Sequence, residues 1–165
     1  MIQRRSPRLK HWDYSTPDWY FVTVVTRLRR ELFGTIDECG VMSRSELGTV
    51  AEAEWWRSAS LLADAKSYVF VLMPNHVHGI VWLNLGTDHT TSRTRLSTFV
   101  GGYKAAVTRR AGRPIWQRGY YDRIIRDERE LEAAWNYIEA NPATWAEDHE
   151  NPVLTQWARQ VSPLR

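Results

Sequence analysis

Cysteine is almost absent from this chain, and so are long apolar runs. Cys39 is the one cysteine among 165 residues, so the chain cannot form an internal disulfide and offers no cluster of thiolates for a metal. The longest apolar run, Tyr68 to Met73, is far shorter than the roughly 20 residues of a membrane helix. The first residues also lack the apolar stretch of a signal peptide. These absences predict a cytoplasmic protein that has no membrane partner and is stabilised by packing.

Acidic residues are scarce in two segments that are rich in basic residues. Residues 1–30 carry seven bases and two acids, and residues 89–126 carry nine bases and one acid. Residues 127–150 reverse the balance, with eight acids and one base. Of the 22 positive side chains 19 are arginine. The planar guanidinium binds phosphate with two hydrogen bonds, but a GC-rich genome produces the same preference for arginine over lysine. The clustering favours a nucleic-acid partner.

Length and apolar content bound the domain organisation. With 43% apolar residues among 165, the chain can bury one core, and it contains no internal repeat, so we expect a single domain over 1–165. Residues 1–17 lack periodicity and predict a basic N-terminal arm. Residues from about 153 to 165 predict a C-terminal tail, and the polar stretch 86–95 predicts a loop.

Hydrophobic patterns predict four strands. Runs of β-branched, aromatic and other apolar residues mark them at 19–26, 67–73, 77–83 and 120–125. Pro74-Asn75 between the two middle runs is a compact turn signal, so these two strands should pair as a hairpin.

Helical patterns lie between and after these strands. Ser43 and Glu46 have the spacing of a capping box, before a helix that continues to about residue 63. Apolar residues over 96–107 recur at helical spacing, and Gly101-Gly102 within them suggests a close approach of another segment. Asp127 is the predicted N-cap of a last helix, with an acid at its N3 position, that stops near Asn141-Pro142. The resulting order is that of an α+β, ferredoxin-like split βαβ fold with a four-stranded antiparallel sheet and one extra C-terminal helix.

His76 and His78 stand at the start of the predicted strand that follows the Pro-Asn turn. Residues two apart on a strand point to the same face, so two imidazoles can converge on one cation. Such a pair also arises by accident, with each ring capping a turn or satisfying a buried hydrogen bond. The position favours a metal site, because polar rings in an otherwise aliphatic sheet need a reason.

Two histidines do not complete a metal shell, so a third ligand is required. Tyr137 and Asn141 are four residues apart on the last predicted helix and share one flank of its apolar stripe. The same spacing fits a tyrosine at the edge of the core and an asparagine that ends a helix before proline. Three other phenols could take the role of Tyr137, because spacing does not exclude Tyr120, Tyr121 or Tyr103. Tyr120 is the first alternative.

Several stretches in this order resemble the HUH single-tyrosine transposases. The run VLMPNHVHGI at 71–80 resembles the metal-site strand of that superfamily. The runs GGYKAAVTR at 101–109, IWQRGYYD at 115–122 and YIEANP at 137–142 resemble its REP-associated branch. The similarity extends from about Trp19 to Pro152, and several motifs in one order are more specific than any single motif.

The resemblance implies His76 and His78 as metal ligands and Tyr137 as the nucleophile. The insertion-sequence relatives have a glutamine as third ligand where this chain has Asn141, so either this shorter side chain or water fills that position. With Mg²⁺ or Mn²⁺, the implied activity is that of a single-strand DNA endonuclease and strand transferase. It would act on hairpin or REP-type DNA through a covalent phosphotyrosine. Relatives differ in whether the site is built within one chain, so a monomer and a homodimer both stay open.

The arginine-rich segment supplies the candidate contacts to the DNA backbone. These candidates are Arg95, Lys104, Arg109, Arg110 and Arg118. Trp12 and Trp116 are candidates for stacking on bases. Two other functions remain open: a non-catalytic nucleic-acid-binding module that retains the fold, and a small-molecule metal hydrolase, which the arginine clusters fit poorly.

Overall fold

Six strands and three α-helices make up the described part of the chain. The computed structural model describes residues 18–84 and 95–147. In chain order the elements are β1 (Asp18–Val25), β2 (Gly34–Ile36), β3 (Met42–Arg44), α1 (Glu46–Ser60), β4 (Ala65–Leu72), β5 (His76–Leu83), α2 (Arg95–Ala111), β6 (Tyr121–Ile125) and α3 (Glu128–Ala140).

Four of the strands form one antiparallel sheet in the order β4-β5-β1-β6. β1 pairs with β5 on one side and with β6 on the other, and β5 pairs with β4 in the predicted hairpin. β1 and β4 therefore run parallel with β5 inserted between them, so their connection through α1 is a split βαβ unit. The predicted α+β fold with a four-stranded antiparallel sheet is confirmed.

Alternate residues of β1 face opposite sides of the sheet, and each side has its own core. Tyr20, Val22 and Val24 are buried in the larger core, together with apolar residues of α1 and α2. Phe21 belongs to the smaller core on the other side, where α3 contributes the fully buried Ile138. The two layers of helices are thus separated by the sheet, and the polar residues discussed below lie on the α3 side.

Trp55 of α1 is the largest fully buried side chain of the larger core. Its ring meets those of Phe99 and Tyr103 edge-on, at centroid distances of 5.0 and 5.2 Å. Its indole N–H donates to the Ser67 hydroxyl at 2.8 Å. Gly79 of β5 lies directly beneath the ring, so a Cβ at this position would overlap it. Glycine at 79 therefore allows α1 to pack closely on the sheet.

One local expectation before α1 was wrong, and one short hairpin was not predicted. The N-cap of α1 is Ser45, whose hydroxyl accepts a hydrogen bond from the Gly48 N–H at 3.0 Å. Ser43, the expected cap, instead lies in β3 and pairs with Thr35 of β2. The β2–β3 hairpin had no recognisable pattern because strands of three residues contain too little alternation to be detected.

The close approach expected at Gly101 and Gly102 is also absent from the described part of the chain. Both glycines are exposed, and no described atom would lie within 4 Å of a Cβ added at either position. The pair occupies the solvent side of α2, so it weakens the helix without a packing benefit.

Three predicted segments fall on residues outside the described ranges. They are the N-terminal arm over 1–17, most of the loop over 86–95, and the C-terminal tail from about 153. Within 18–84 and 95–147, the helices are too short or too polar to cross a membrane.

We predict that Gly79→Ala destabilises the fold, because its methyl group would overlap the Trp55 ring. Overpacking of this kind costs about 1–3 kcal/mol, which urea denaturation followed by tryptophan fluorescence would measure. Gly101→Ala is the matched control: it adds the same group in open space within a helix and should stabilise by about 0.5–1 kcal/mol. Equal free energies of unfolding for Gly79→Ala and the wild type would contradict the described packing.

Candidate metal and nucleophile site

His76 and His78 project from β5 on the α3 side of the sheet. One residue separates them, so the strand gives both rings the same direction. His76 is fully buried and His78 nearly so, and their Nε2 atoms lie 3.0 Å apart. The structure therefore brings the two predicted imidazoles together at one point.

A hydrogen bond at the outer nitrogen of each ring sets the orientation of the pair. His76 Nδ1 lies 2.8 Å from Asn75 Oδ1, and His78 Nδ1 lies 2.8 Å from the Thr23 hydroxyl. The Asn75 amide nitrogen donates to the Arg29 carbonyl at 3.2 Å, which assigns the atom facing the imidazole as the oxygen. Because an amide oxygen only accepts, His76 Nδ1 carries a proton. In the neutral ring Nε2 then presents its lone pair.

The Nε2 pair has a spacing that suits a divalent cation. At this separation a proton on His78 Nε2 can form a hydrogen bond to His76 Nε2, and in its absence a cation can lie beside both lone pairs. Two ligands at right angles, each about 2.1 Å from an octahedral ion, are about 3.0 Å apart. His76 and His78 therefore fit two neighbouring positions on one metal ion.

Asn141 supplies a buried oxygen at the C-terminal end of α3. The residue is 2% exposed, and its Oδ1 has no hydrogen-bond partner among the described residues. The ring centroid of Trp145, four residues further on, lies 6.0 Å from that of His76, so the segment that follows α3 packs beside this histidine. Leaving a buried amide oxygen without a partner costs about 1–3 kcal/mol, and coordination to a cation would offset this cost.

The described ranges contain no group of three or more His, Cys, Asp or Glu side chains that could hold a metal. The candidate ligands are therefore two imidazoles and one amide oxygen, with the remaining positions left for water or a substrate oxygen. A set of this kind, poor in charge and with coordination positions left over, fits a catalytic ion better than a structural one.

Tyr137 lies one helical turn before Asn141, on the part of α3 that covers the histidines. Its ring centroid is 5.5 Å from that of His78 and 5.9 Å from that of Phe21. The residue is 43% exposed, so a substrate can reach it while the ring rests against the sheet. A phenol and two imidazoles from two separate stretches of sequence thus meet on one side of the sheet, with the Asn141 amide one helical turn beyond the phenol.

An open groove, which we call the α3 groove, runs between α3 and the β1 and β6 strands. Its volume of about 960 Å³ is near the upper end of the range of about 300–1,000 Å³ for ligand pockets. Thr23, His78, Tyr121 and Tyr137 line it. The charged residues of its lining are Arg29, Arg123, Asp127, Arg129 and Glu130.

The competing tyrosines differ in the face of the sheet that they occupy. Tyr120, expected as the first alternative nucleophile, packs against the larger core, and its hydroxyl lies 3.3 Å from that of Ser97 in α2. Tyr103 is buried in the same core, where desolvation raises the pKa of its phenol well above the usual value. Tyr121 is 42% exposed and lines the α3 groove with His78. Tyr121 therefore replaces Tyr120 as the alternative.

Three arginines that line the groove, Arg29, Arg123 and Arg129, were not among the predicted DNA contacts. Arg123 had a usable signal, because it lies two residues after Tyr121 on β6 and so shares its face. Its Nη2 lies 3.3 Å from Glu130 Oε1. Arg29 had no such signal, because it lies in a 3-10 turn of three residues, Arg27–Arg29, and has a positive φ of 54°. The counts of charge include Arg29 and Arg123 in the two basic segments, but they do not show that these side chains line one groove.

Lys104 and Trp116, expected to contact DNA, are instead engaged within the fold. The Lys104 ammonium donates to the carbonyls of Gln117 and Gly119 at 2.8 and 2.6 Å, and burial lowers its pKa. Trp116 donates its indole N–H to the Lys104 carbonyl at 3.1 Å, and its ring packs 5.3 Å from that of Phe33. These contacts tie α2 to the segment before β6, which accounts for both side chains without DNA.

The remaining predicted DNA contacts lie away from the α3 groove. Arg109 and Arg110 are exposed at the end of α2, in the helix layer on the opposite side of the sheet from the histidines. Arg118 is exposed in the turn before β6. The side chain of Arg95 and all of Trp12 lie outside the described residues.

Comparison with known proteins agrees with this architecture. No family model matches the chain. An uncharacterised protein of Haemophilus influenzae is 33% identical over 166 residues, covering 88% of this chain and 91% of the relative. The solved structure of a REP-associated tyrosine transposase bound to a REP hairpin is similar with a TM-score of 0.60. That match covers 99% of this chain and 89% of the other, at 20% identity. The chain therefore belongs to one family with the Haemophilus influenzae protein, and it has the fold of a REP-associated tyrosine transposase.

Proposed function

We propose that this protein is a metal-dependent single-strand DNA endonuclease and strand transferase that acts on hairpin or REP-type DNA through a covalent phosphotyrosine. One observation carries the proposal: the two Nε2 atoms 3.0 Å apart lie beside the Tyr137 ring, which is 5.5 Å from that of His78. The fold shared with a transposase bound to a REP hairpin supports DNA as the substrate. On this proposal the protein acts in the cytoplasm, as a monomer or a homodimer.

His76, His78 and Asn141 would hold the ion, for which Mg²⁺ and Mn²⁺ are the candidates because oxygen atoms of water and substrate complete the shell. When bound, the ion supplies positive charge that polarises a phosphate oxygen and stabilises the transition state. Asn75 and Thr23 hold the outer ring nitrogens, so neither imidazole has to reorient before binding. Such preorganisation raises affinity for the ion.

Tyr137 would be the nucleophile. Its phenol oxygen forms a bond to phosphorus while the bond from phosphorus to the 3′ oxygen breaks. The phenol proton leaves to water, and the departing 3′ oxygen takes up a proton. Since the ordinary pKa of tyrosine is about 10, the proton has to be removed as attack proceeds. The phosphotyrosine conserves the phosphodiester bond energy, so another 3′ hydroxyl can displace the tyrosine without ATP.

Basic residues of the α3 groove would bind the backbone of the strand that is cut. Arg29, Arg123 and Arg129 line the groove, and guanidinium groups bind phosphate with paired hydrogen bonds. The Arg123 side chain is 69% exposed, so its ion pair with Glu130 is weak and a phosphate can compete for it. Arg109, Arg110 and Arg118 would contact parts of the DNA that lie outside the groove.

A second candidate function is a non-catalytic nucleic-acid-binding module that retains the fold. The burial of His76 and His78 favours it, because buried imidazoles with hydrogen-bonded Nδ1 atoms can serve the core without a metal. DNA binding that is independent of metal and gives no covalent product would establish this alternative.

Tyr137→Phe should abolish the covalent protein–DNA adduct, because the change removes the attacking oxygen and keeps the ring. The measurement is incubation with a labelled hairpin oligonucleotide that carries a single-stranded extension, with Mn²⁺, followed by a denaturing gel. Tyr121→Phe is the matched control, since Tyr121 lines the same groove and has a similar exposure of 42%. Loss of the adduct in Tyr121→Phe and its persistence in Tyr137→Phe would assign the nucleophile to Tyr121.

Asn141→Ala should weaken Mn²⁺ binding on the order of tenfold if the amide contributes to the shell. With excess Mn²⁺ this change removes about 1.4 kcal/mol of the stabilisation that the ion provides. Thermal unfolding with and without Mn²⁺ measures the difference. Asn136→Ala, on an exposed position of the same helix, should keep the full shift. Identical shifts in the two variants would exclude Asn141 as the third ligand.

A further inference from the structure

A second cavity lies beside the loop that connects β1 to β2. Its volume is about 280 Å³, and three arginines line it together with apolar side chains and a proline. The lining residues are Arg27, Leu28, Arg30, Leu32, Arg113, Pro114 and Ile115. Arg29, in the middle of the same loop, lines the α3 groove instead. One short loop therefore separates two cavities and contributes arginine to both.

The loop has a strained backbone at its centre. Leu28 and Arg29 have φ angles of 59° and 54°, in the left-handed region that residues with a Cβ avoid. Leu28 is 73% exposed, so packing of its side chain does not account for the conformation. The Asn75 amide holds the Arg29 carbonyl at 3.2 Å. Strain that the surroundings enforce in this way is typical of binding segments.

Hydrogen bonds at both ends of the loop fix the backbone positions of Arg27 and Arg30. The Arg27 N–H donates to the Ile115 carbonyl at 2.7 Å, which places Arg27 beside the segment that carries Arg113. The Thr26 hydroxyl donates to the Arg30 carbonyl at 2.7 Å. The first bond joins two parts of the chain that are far apart in sequence, and the second closes the loop itself.

The three arginines of the second cavity are exposed, and none of them forms an ion pair with a carboxylate of residues 18–84 or 95–147. Glu31, which follows Arg30 directly, is exposed and also makes no ion pair within those ranges. Three like charges around a small volume repel one another, and a bound anion relieves this repulsion. Guanidinium groups are suited to phosphate in particular.

We propose that the second cavity, formed by Arg27, Arg30 and Arg113, binds backbone phosphates of the DNA strand that leaves the α3 groove over Arg29. This inference rests on the proposed function, because it takes the strand in the groove as given. The loop then acts as a divider between the phosphates near Tyr137 and those further along the same strand. Binding at both cavities would fix the direction of the strand across the site.

The test compares hairpin oligonucleotides with short and long single-stranded extensions over a series of salt concentrations. In the wild type the long extension should bind more tightly and with a steeper salt dependence. Arg27→Ala combined with Arg113→Ala should lose this gain. For this double variant the slope of log affinity against log salt concentration should be shallower by about 1.4, the value for two lost contacts to a single strand. Between 1 M and 0.1 M salt this difference amounts to roughly 25-fold in affinity.

Arg44→Ala combined with Arg57→Ala is the matched control, because it removes two exposed arginines that carry ion pairs elsewhere. It should bind both oligonucleotides with the wild-type slope. Equal slopes for the Arg27/Arg113 variant and the wild type would overturn the second site. If that slope is unchanged while the wild type still forms the covalent adduct, the second site fails and the proposed function stands. A wild type that binds no DNA overturns both.

Inorganic phosphate distinguishes DNA from a free anion as the source of the phosphate group. At constant ionic strength, inorganic phosphate should displace neither the short nor the long oligonucleotide from the wild type. If it removes the extra affinity of the long extension at low concentration, the cavity is a site for free phosphate and the proposal is overturned.

Discussion

The position of β1 between β5 and β6 decides which side chains meet at the site. Its register places Thr23 opposite His78 on one side and opposite Tyr121 on the other. A slip of one residue in either pairing would turn these side chains to the opposite face. Tyr20 and Val22 oppose such a slip, because it would move them out of the larger core where both are buried. The apolar side of the sheet therefore maintains the geometry of its polar side.

Buried polar groups on the α3 side have a free-energy cost that packing alone does not offset. Asn75 and Thr23 satisfy the outer nitrogens of the two imidazoles. The inner nitrogens face one another, and the Asn141 oxygen has no partner among the described residues. A divalent ion would satisfy all of these atoms at once. The smaller core beneath α3 leaves the groove open, so the same side of the sheet can admit a DNA strand.

Local periodicity was sufficient for the long elements and for part of the site. Strand alternation predicted that His76 and His78 share one face, and helical phase predicted that Tyr137 and Asn141 share one flank. Their roles in a site were implied by the resemblance and not by spacing. The short β2–β3 hairpin was missed because three residues show no periodicity. The choice between Tyr120 and Tyr121 depends on pairing between distant strands, which neighbouring residues do not reveal. Arg29 reaches the groove through a positive φ of 54° that no local pattern encodes.

Pulsed electron paramagnetic resonance of bound Mn²⁺ tests most directly whether His76 and His78 jointly hold one ion. The method detects nitrogen nuclei that are coordinated to the metal. In the wild type it should show two imidazole nitrogens, and in His76→Ala or His78→Ala it should show one. Bound Mn²⁺ without nitrogen coupling in the wild type, or with two coupled imidazole nitrogens in either variant, would contradict the assignment.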